Sequence, residues 1–301
     1  MESGTSILIA GGSGYIGSAI RQMANQRGIA CKVLTTSKRQ ADEEDGWYFW
    51  DPERGIFPEK ALEGVSTIIN LAGSSIGGSW SAKGKKIIRR SRLLPADLLV
   101  KALQTYTHQV KRLIQASAIG YYPDSPQWME ETSAAGTGFL SDVCIDWESA
   151  ALKVPKGIDR VVVRIGVVIS PDAPVVEKLK FPARMGITVI PGNKSTAVSW
   201  IHSTDLAAAF LHLANASINA GIYNAVAPEV ATNVYFYPAI NAWHGKQWLT
   251  VAVPSFVLRT MLGEKSALVL DAHRISSERL RNSGFTFQYA QLDDCVKENQ
   301  S

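Results

Sequence analysis

The apolar residues of this 301-residue chain fall into short unbroken runs that alternate with helical repeats. Ile7, Leu8, Ile9 and Ala10 form the first run. A strand looks like this when helices cover both faces of a parallel sheet. Behind it, Ile16, Ala19, Ile20 and Met23 recur at the spacing of one helix face, and Gly28 marks the stop. Further strands are expected at Cys31–Thr35, Trp47–Asp51, Ser66–Gly73, Arg112–Ser117, Arg160–Val168, Ser199–His202 and Gly221–Val226. Helices are expected over Ser81–Arg92, Leu93–Leu103, Phe139–Leu152 and Leu206–Ala214, the last with Asp205 at its favourable N-terminal end. Prolines and glycines from Ser170 to Ser195 predict an irregular flap with a short helix. The tail from Thr232 reads as mostly helical, with aromatic and proline interruptions. Strands alternating with helices predict an α/β fold.

Gly11, Gly14 and Gly17 stand between the first strand and the first helix. Gly11 suits a tight turn, Gly14 a close approach of backbone to pyrophosphate, and Gly17 close packing of helix on strand. The helix N-terminus then faces the phosphates. This is a dinucleotide-binding pattern; a purely structural turn is the alternative. At the end of the second strand, Thr35-Thr-Ser-Lys-Arg39 has no acid before Asp42. An acid there would hold the ribose of NAD, so two cations favour the 2′-phosphate of NADP over NAD, with an ordinary solvated loop as the alternative. Asp51 is placed at the adenine edge, and Asn70-Leu-Ala-Gly73 ends the fourth strand at the edge where ligands bind in open parallel sheets. The expected cofactor contacts are therefore Gly11, Gly14, Tyr15, Ile16, Gly17, Thr36, Lys38, Arg39, Asp51, Leu71, Ala72 and Gly73.

Composition narrows the picture. The chain has 31 Lys and Arg against 27 Asp and Glu, a mild excess that does not argue for nucleic acid. The basic stretch from Ser81 to Arg92 reads as a solvated face. Cys31, Cys144 and Cys295 are scattered and odd in number, which suits a reducing compartment and shows no metal-ligand spacing. The first strand begins too early for a signal peptide, and no apolar run spans a membrane. A cytoplasmic protein acting on a small molecule is expected, with a homodimer left open.

The fifth strand runs into Ser117-Ala-Ile-Gly-Tyr-Tyr122. Ser117, Tyr121 and Tyr122 are the candidate catalytic hydroxyls: Ser117 to polarise a substrate oxygen, either tyrosine to give a proton. Hydroxyls satisfying local backbone are the alternative. His202 reads better as a core histidine.

These stretches resemble an extended short-chain dehydrogenase/reductase of the nucleotide-sugar epimerase type, and within it the atypical YfcH-like epimerase family group. The matching residues are Gly11–Gly17, Asn70–Gly73, Trp80 with Ser91-Arg92, Ser117–Tyr122, Phe139-Leu140, Trp147-Glu148 and Arg164–Val168. Ser199–His202 with Asp205, Asn224–Pro228, Pro254 and Leu262-Gly263-Glu264 continue the match. The resemblance implies a Rossmann-like, doubly wound parallel sheet at 1–228 and a smaller C-terminal substrate lobe at 229–301, to which the 170–198 segment is also assigned. It adds Arg92 to the cofactor contacts. It also implies an NADP(H)-dependent oxidoreductase or epimerase on a polar carbonyl or sugar-like substrate. Yet none of the nine tyrosines is followed by lysine four residues on. Leu140 and Cys144 occupy the places of that pair, which keeps open an NADP(H)-sensing module without catalysis. Thr36 stands where relatives carry arginine, and Met185–Ser195 replaces their glycine-rich segment.

Overall fold

A computed structural model describes residues 6–297 of the chain. The chain forms two compact units. The first runs up to Tyr121 and adds Thr137–Arg164 and Ala207–Tyr223; the second comprises Tyr122–Gly136, Ile165–Leu206 and the described chain from Asn224 onward. The 170–198 segment lies in the second unit.

In chain order the elements begin with β1 (Ser6–Ala10), α1 (Tyr15–Gln26), β2 (Ala30–Thr35), β3 (Trp47–Phe49) and β4 (Val65–Asn70). Then come α2 (Ala82–Thr105), β5 (Arg112–Ala118), β6 (Ser125–Met129), α3 (Phe139–Ala151), β7 (Asp159–Ile165) and β8 (Val167–Ile169). The proline-rich segment holds α4 (Pro174–Glu177), α5 (Lys180–Arg184) and β9 (Ile187–Pro191). After it follow β10 (Ala197–His202), α6 (Ser203–Leu213), β11 (Gly221–Ala225), β12 (Val230–Thr232), α7 (Asn233–Asn241), β13 (Leu249–Val253), α8 (Ser255–Leu262) and β14 (His273–Ile275).

The central sheet has seven strands in the order β11-β7-β5-β4-β1-β2-β3. Its pairings from β3 across to β5 are parallel. This is the Rossmann-like α/β fold the sequence led us to expect. Ile7, Leu8, Ile9 and Ala10 are all fully buried, which explains their unbroken apolar run. The two helices expected over 81–103 are one. Ser81 caps it, its hydroxyl accepting from the Gly84 amide at 3.2 Å, and Pro95 is carried inside it. Arg112, only 2 % exposed, donates to the carbonyls of Leu213, Asn215 and Ile218 and pairs with Asp159. A buried guanidinium is tolerated there because its donors are spent on these acceptors.

The expected strand Arg160–Val168 is two. Gly166 separates β7, in the large sheet, from β8, which pairs with β10 in a sheet ordered β12-β10-β8. A Cβ at Gly166 would stand 2.8 Å from Val226 and 2.9 Å from the Ser199 carbonyl, so only glycine admits the crossing backbones. The second unit also holds two parallel pairs, β13 with β9 and β14 with β6; β9 lies in the expected flap, and β13 and β14 lie in the tail read as mostly helical. Asp205 lies in the first turn of α6, but its carboxylate accepts from the Gln288 and Tyr289 amides at 2.8 and 2.9 Å.

Candidate cofactor and catalytic site

The turn after β1 is built on steric necessity. Gly11 has φ +84°, the left-handed region that favours glycine. A Cβ on Gly17 would lie 2.4 Å from the Gly11 carbonyl oxygen and 2.7 Å from the Gly12 Cα. Gly12, which the sequence did not single out, packs against Val33, 2.8 Å from where its Cβ would be. Gly14 differs: it is exposed, and its Cβ would meet only the Gly11 oxygen at 3.3 Å. The N-terminus of α1 has no side-chain cap and no acid in its first turn. The first amides of a helix have no partner within it, and such an end, with its positive dipole, fits a pyrophosphate. Arg21 steadies the turn by donating from Nε to the Gly12 carbonyl at 2.9 Å while its guanidinium lies 4.7 Å from the centre of the Trp47 ring.

Beyond β2, the Thr35 hydroxyl accepts from the Ser37 amide at 3.1 Å and donates to Gln40. The loop is thus shaped by its own hydroxyl, leaving Thr36, Lys38 and Arg39 exposed. The Lys38 ammonium stands 5.4 Å from the Phe49 ring centre. Asp51 caps its own turn, accepting from the Glu53 and Arg54 amides at 3.0 and 3.2 Å.

At the carboxyl edge of β4, Asn70 donates from Nδ2 to Gln115 Oε1 at 2.9 Å and accepts from the Ala72 amide. This fully buried amide pair fixes the course of Leu71, Ala72 and Gly73. The space a Cβ would take at Gly73 is filled by Arg92, whose nearest atoms lie 3.1–3.4 Å away. Ser91 accepts from the Ser74 amide at 2.9 Å, tying α2 to the same loop. Arg89 pairs with Asp146 and Arg90 with Glu53. Arg92 donates from Nη1 to the Ile88 carbonyl at 3.0 Å and lies 5.1 Å from the Trp147 ring centre.

At the end of β5, the hydroxyl of Ser117 donates to Glu148 Oε1 at 2.7 Å. Arg164 grips the same carboxylate through Nε and Nη2, each at 2.9 Å, and its guanidinium lies 3.4 Å from the centre of the Tyr121 ring. Neither Glu148 nor Arg164 had been given a role by sequence. The signal available was an acid beside buried Trp147 on an otherwise apolar helix face. Ser117 is only 2 % exposed, so the expected donor to a substrate oxygen already spends its single proton on Glu148. Tyr122 is likewise buried, and its hydroxyl donates to Asn224 Oδ1 at 2.8 Å within the second unit. The Cys144 thiol donates to the Ala118 carbonyl at 3.7 Å, and burial pushes its pKa up to about 11. His202 is buried with its ring 4.0 Å from that of Tyr289, and Nδ1 accepts from the Thr204 amide.

The family model "NAD dependent epimerase/dehydratase family" matches residues 7–225. The chain belongs to that family. A domain of unknown function, DUF1731, matches residues 253–298. Among curated members of the epimerase family, a protein of Staphylococcus haemolyticus is 30% identical over 300 residues, covering 95% of each chain. One of Mycobacterium leprae is 31% identical, covering 96% of this chain and 94% of its own. The crystal structure of human epimerase family protein SDR39U1 (isoform 2) with NADPH superposes with a TM-score of 0.88 at 27% identity, covering 97% of this chain and 98% of that one. A nucleoside-diphosphate sugar epimerase from Corynebacterium glutamicum matches with a TM-score of 0.75 at 26% identity, covering 98% of this chain and 57% of its own. Among the described residues no cluster of His, Cys, Asp or Glu suits a metal ion, and no helix is long and apolar enough to cross a membrane.

Proposed function

We propose that this epimerase-family chain binds NADP(H) on the turn between β1 and α1 and acts as an oxidoreductase or epimerase on a polar carbonyl or sugar-like small molecule. The observation that carries the reading is the uncapped N-terminus of α1, held against a turn too tight for any side chain at Gly17. Lys38 and Arg39, with no acid between Thr35 and Ala41, support a 2′-phosphate. A relative solved with NADPH supports the same choice.

A bound nicotinamide supplies hydride transfer, and the chain supplies the rest. Gly11 and Gly14 would let the pyrophosphate approach the turn, where the Gly14 amide is given to the Gly11 carbonyl at 3.0 Å, and Tyr15, Ile16 and Gly17 would set the start of α1 against it. Leu71, Ala72 and Gly73 line the adjoining edge. Tyr121 is assigned the proton at its hydroxyl, because its ring is located by the Arg164 guanidinium. Ser117 positions Tyr121 through Glu148 and Arg164.

A second reading, an NADP(H) sensor without turnover, is favoured by Cys144: a buried, neutral thiol stands where the family's lysine would be. The test is calorimetric titration with NADPH and NADH, followed by NADPH oxidation across aldehydes, quinones and sugar nucleotides. Tight NADPH binding with turnover on one class supports the enzyme. Binding with silence across the panel moves the assignment to the sensor, and no binding of either dinucleotide overturns both.

A further inference from the structure

The second unit has a small sheet whose outward face is apolar. β9 and β13 form a two-stranded parallel ribbon in which Ile187 pairs with Leu249 and Val189 with Val251. Paired residues share a face, and successive residues alternate between faces. Thr188 and Ile190, on the opposite face, are fully buried, and Asn241 of α7 donates to the Thr188 hydroxyl at 3.3 Å. None of Ile187, Val189, Leu249 and Val251 is buried. A strand covered on one side normally turns its polar residues outward. This ribbon buries a threonine and leaves aliphatic side chains outside.

Its surroundings extend the patch. The Trp248 ring lies against Gly186, in the place a Cβ would take. α8 follows β13 directly after Pro254 and has no buried residue. Phe181, Trp248, Phe256 and Met261 are 71–76 % exposed. Among the described residues of the first unit, the exposed large apolar side chains are only Ile56, Ile87, Ile145 and Leu152, with no aromatic ring. An exposed apolar area of the kind seen in the second unit marks a binding surface.

Charge names the partner. Residues 174–194 and 243–271, which carry the patch, hold seven Lys and Arg against three acids, an excess of four. The whole chain has an excess of +4, so the remainder is neutral. Lys178, Arg184 and Lys246 are exposed. A second copy docked on this face across a twofold axis would set that positive charge against itself. Protein interfaces are also depleted in lysine, and five of the seven cations are lysines. Exposed rings beside lysines suit an anionic bilayer, where the rings enter the headgroup boundary and the ammonium groups meet lipid phosphates.

We propose that the second unit docks on an anionic phospholipid surface through the outward face of β9 and β13 and through α8. It lies on the bilayer without crossing it, since no helix among the described residues is long and apolar enough to do so. The site is additional to the cofactor reading and does not depend on it.

The experiment is co-sedimentation of the full chain with vesicles of phosphatidylcholine, alone or equimolar with phosphatidylglycerol. The parent should pellet with the mixed vesicles and stay in solution with phosphatidylcholine. Raised salt should release it by screening the cations. F181D combined with F256D, which puts charge into the apolar contact, should weaken binding to mixed vesicles about tenfold or more. K178A, R184A and K246A combined should weaken it about a hundredfold, roughly fivefold per cation. All five side chains are exposed, so both variants should keep the parent's thermal midpoint, which reports folding. A parent that stays in solution with mixed vesicles overturns the proposal. So does equal pelleting with both vesicle types, or undiminished binding by the folded variants. Sedimentation velocity tests the rival occupant: a parent dimer that F181D with F256D returns to monomer means a second copy covers the face, and also overturns the proposal.

Discussion

The hydroxyl of Ser117 and the carboxylate of Glu148 are joined by a hydrogen bond of 2.7 Å, with the serine as donor. Arg164 closes the other side of that carboxylate, and the Glu148 and Arg164 side chains are 12 % and 1 % exposed. Such a pair is expensive to break from one side, because the survivor is left charged and out of water. Glu148→Gln should therefore cost about 3–5 kcal/mol of unfolding free energy. Ser117→Ala should cost about 1.5–3 kcal/mol, the range for a hydrogen bond to a charged group. Urea unfolding monitored by circular dichroism measures both. A loss below about 1 kcal/mol for Glu148→Gln would show that the pair is hydrated in solution.

The two glycines on either side of the α1 start should behave in opposite ways. Gly17→Ala drives a Cβ into backbone atoms at 2.4 and 2.7 Å, and should destabilise the fold by about 1–3 kcal/mol. Gly14 is exposed at φ −75°, so Gly14→Val should leave stability within about 0.5 kcal/mol. The valine would instead fill the space offered to pyrophosphate and abolish the thermal shift given by NADPH. A full shift in Gly14→Val would place the cofactor elsewhere.

Cofactor choice should reside in the loop after β2. Lys38→Ala and Arg39→Ala, singly or together, should lower the preference for NADPH over NADH by about 1–3 kcal/mol. Affinity for NADH should be unaffected, since NADH has no 2′-phosphate. If the ratio of the two dissociation constants does not move, these cations serve solvent only.

Two thiols predict an alkaline weakness. Burial pushes Cys31 and Cys144 up to about 11 from an ordinary 9. The unfolded chain gives up these protons first, so the contribution is fully present below pH 9 and is lost as pH rises through 11. Urea midpoints between pH 8 and 11 should fall, and Cys144→Ala should flatten part of the decline. Cys144→Ala should leave any NADPH oxidation near the parent rate, because a neutral thiol lends no charge. A large loss of rate would restore the cysteine to the mechanism.

The turn after β1 was readable because Gly11 and Gly17 each answer a local steric demand within a few residues of chain. The same held for β1, whose four apolar residues could only be covered on both faces. The Ser117, Glu148 and Arg164 network was not readable, because its members lie 31 and 16 residues apart and meet only through packing. Arg92 was placed with the cofactor by resemblance, but its packing along Gly73 and against Trp147 emerges only in the fold. Gly166 misled the strand assignment: an apolar run of even β propensity hides a crossing of two backbones. Pairing of β9 with β13 was concealed by prolines and aromatics that read as interruptions.

The interleaving of the two units bears on how such a protein can change over generations. The chain passes from one unit to the other after Tyr121, Gly136, Arg164, Leu206 and Tyr223. No single recombination event can therefore exchange one unit as a cassette. A fragment ending at residue 228 would hold every segment of the first unit. It would also retain β6 without its partner β14, and β10 without β12. Unpaired edges of that kind invite association between chains. New specificity in this lineage is thus expected to arrive by substitution and loop insertion in place, with both units inherited together.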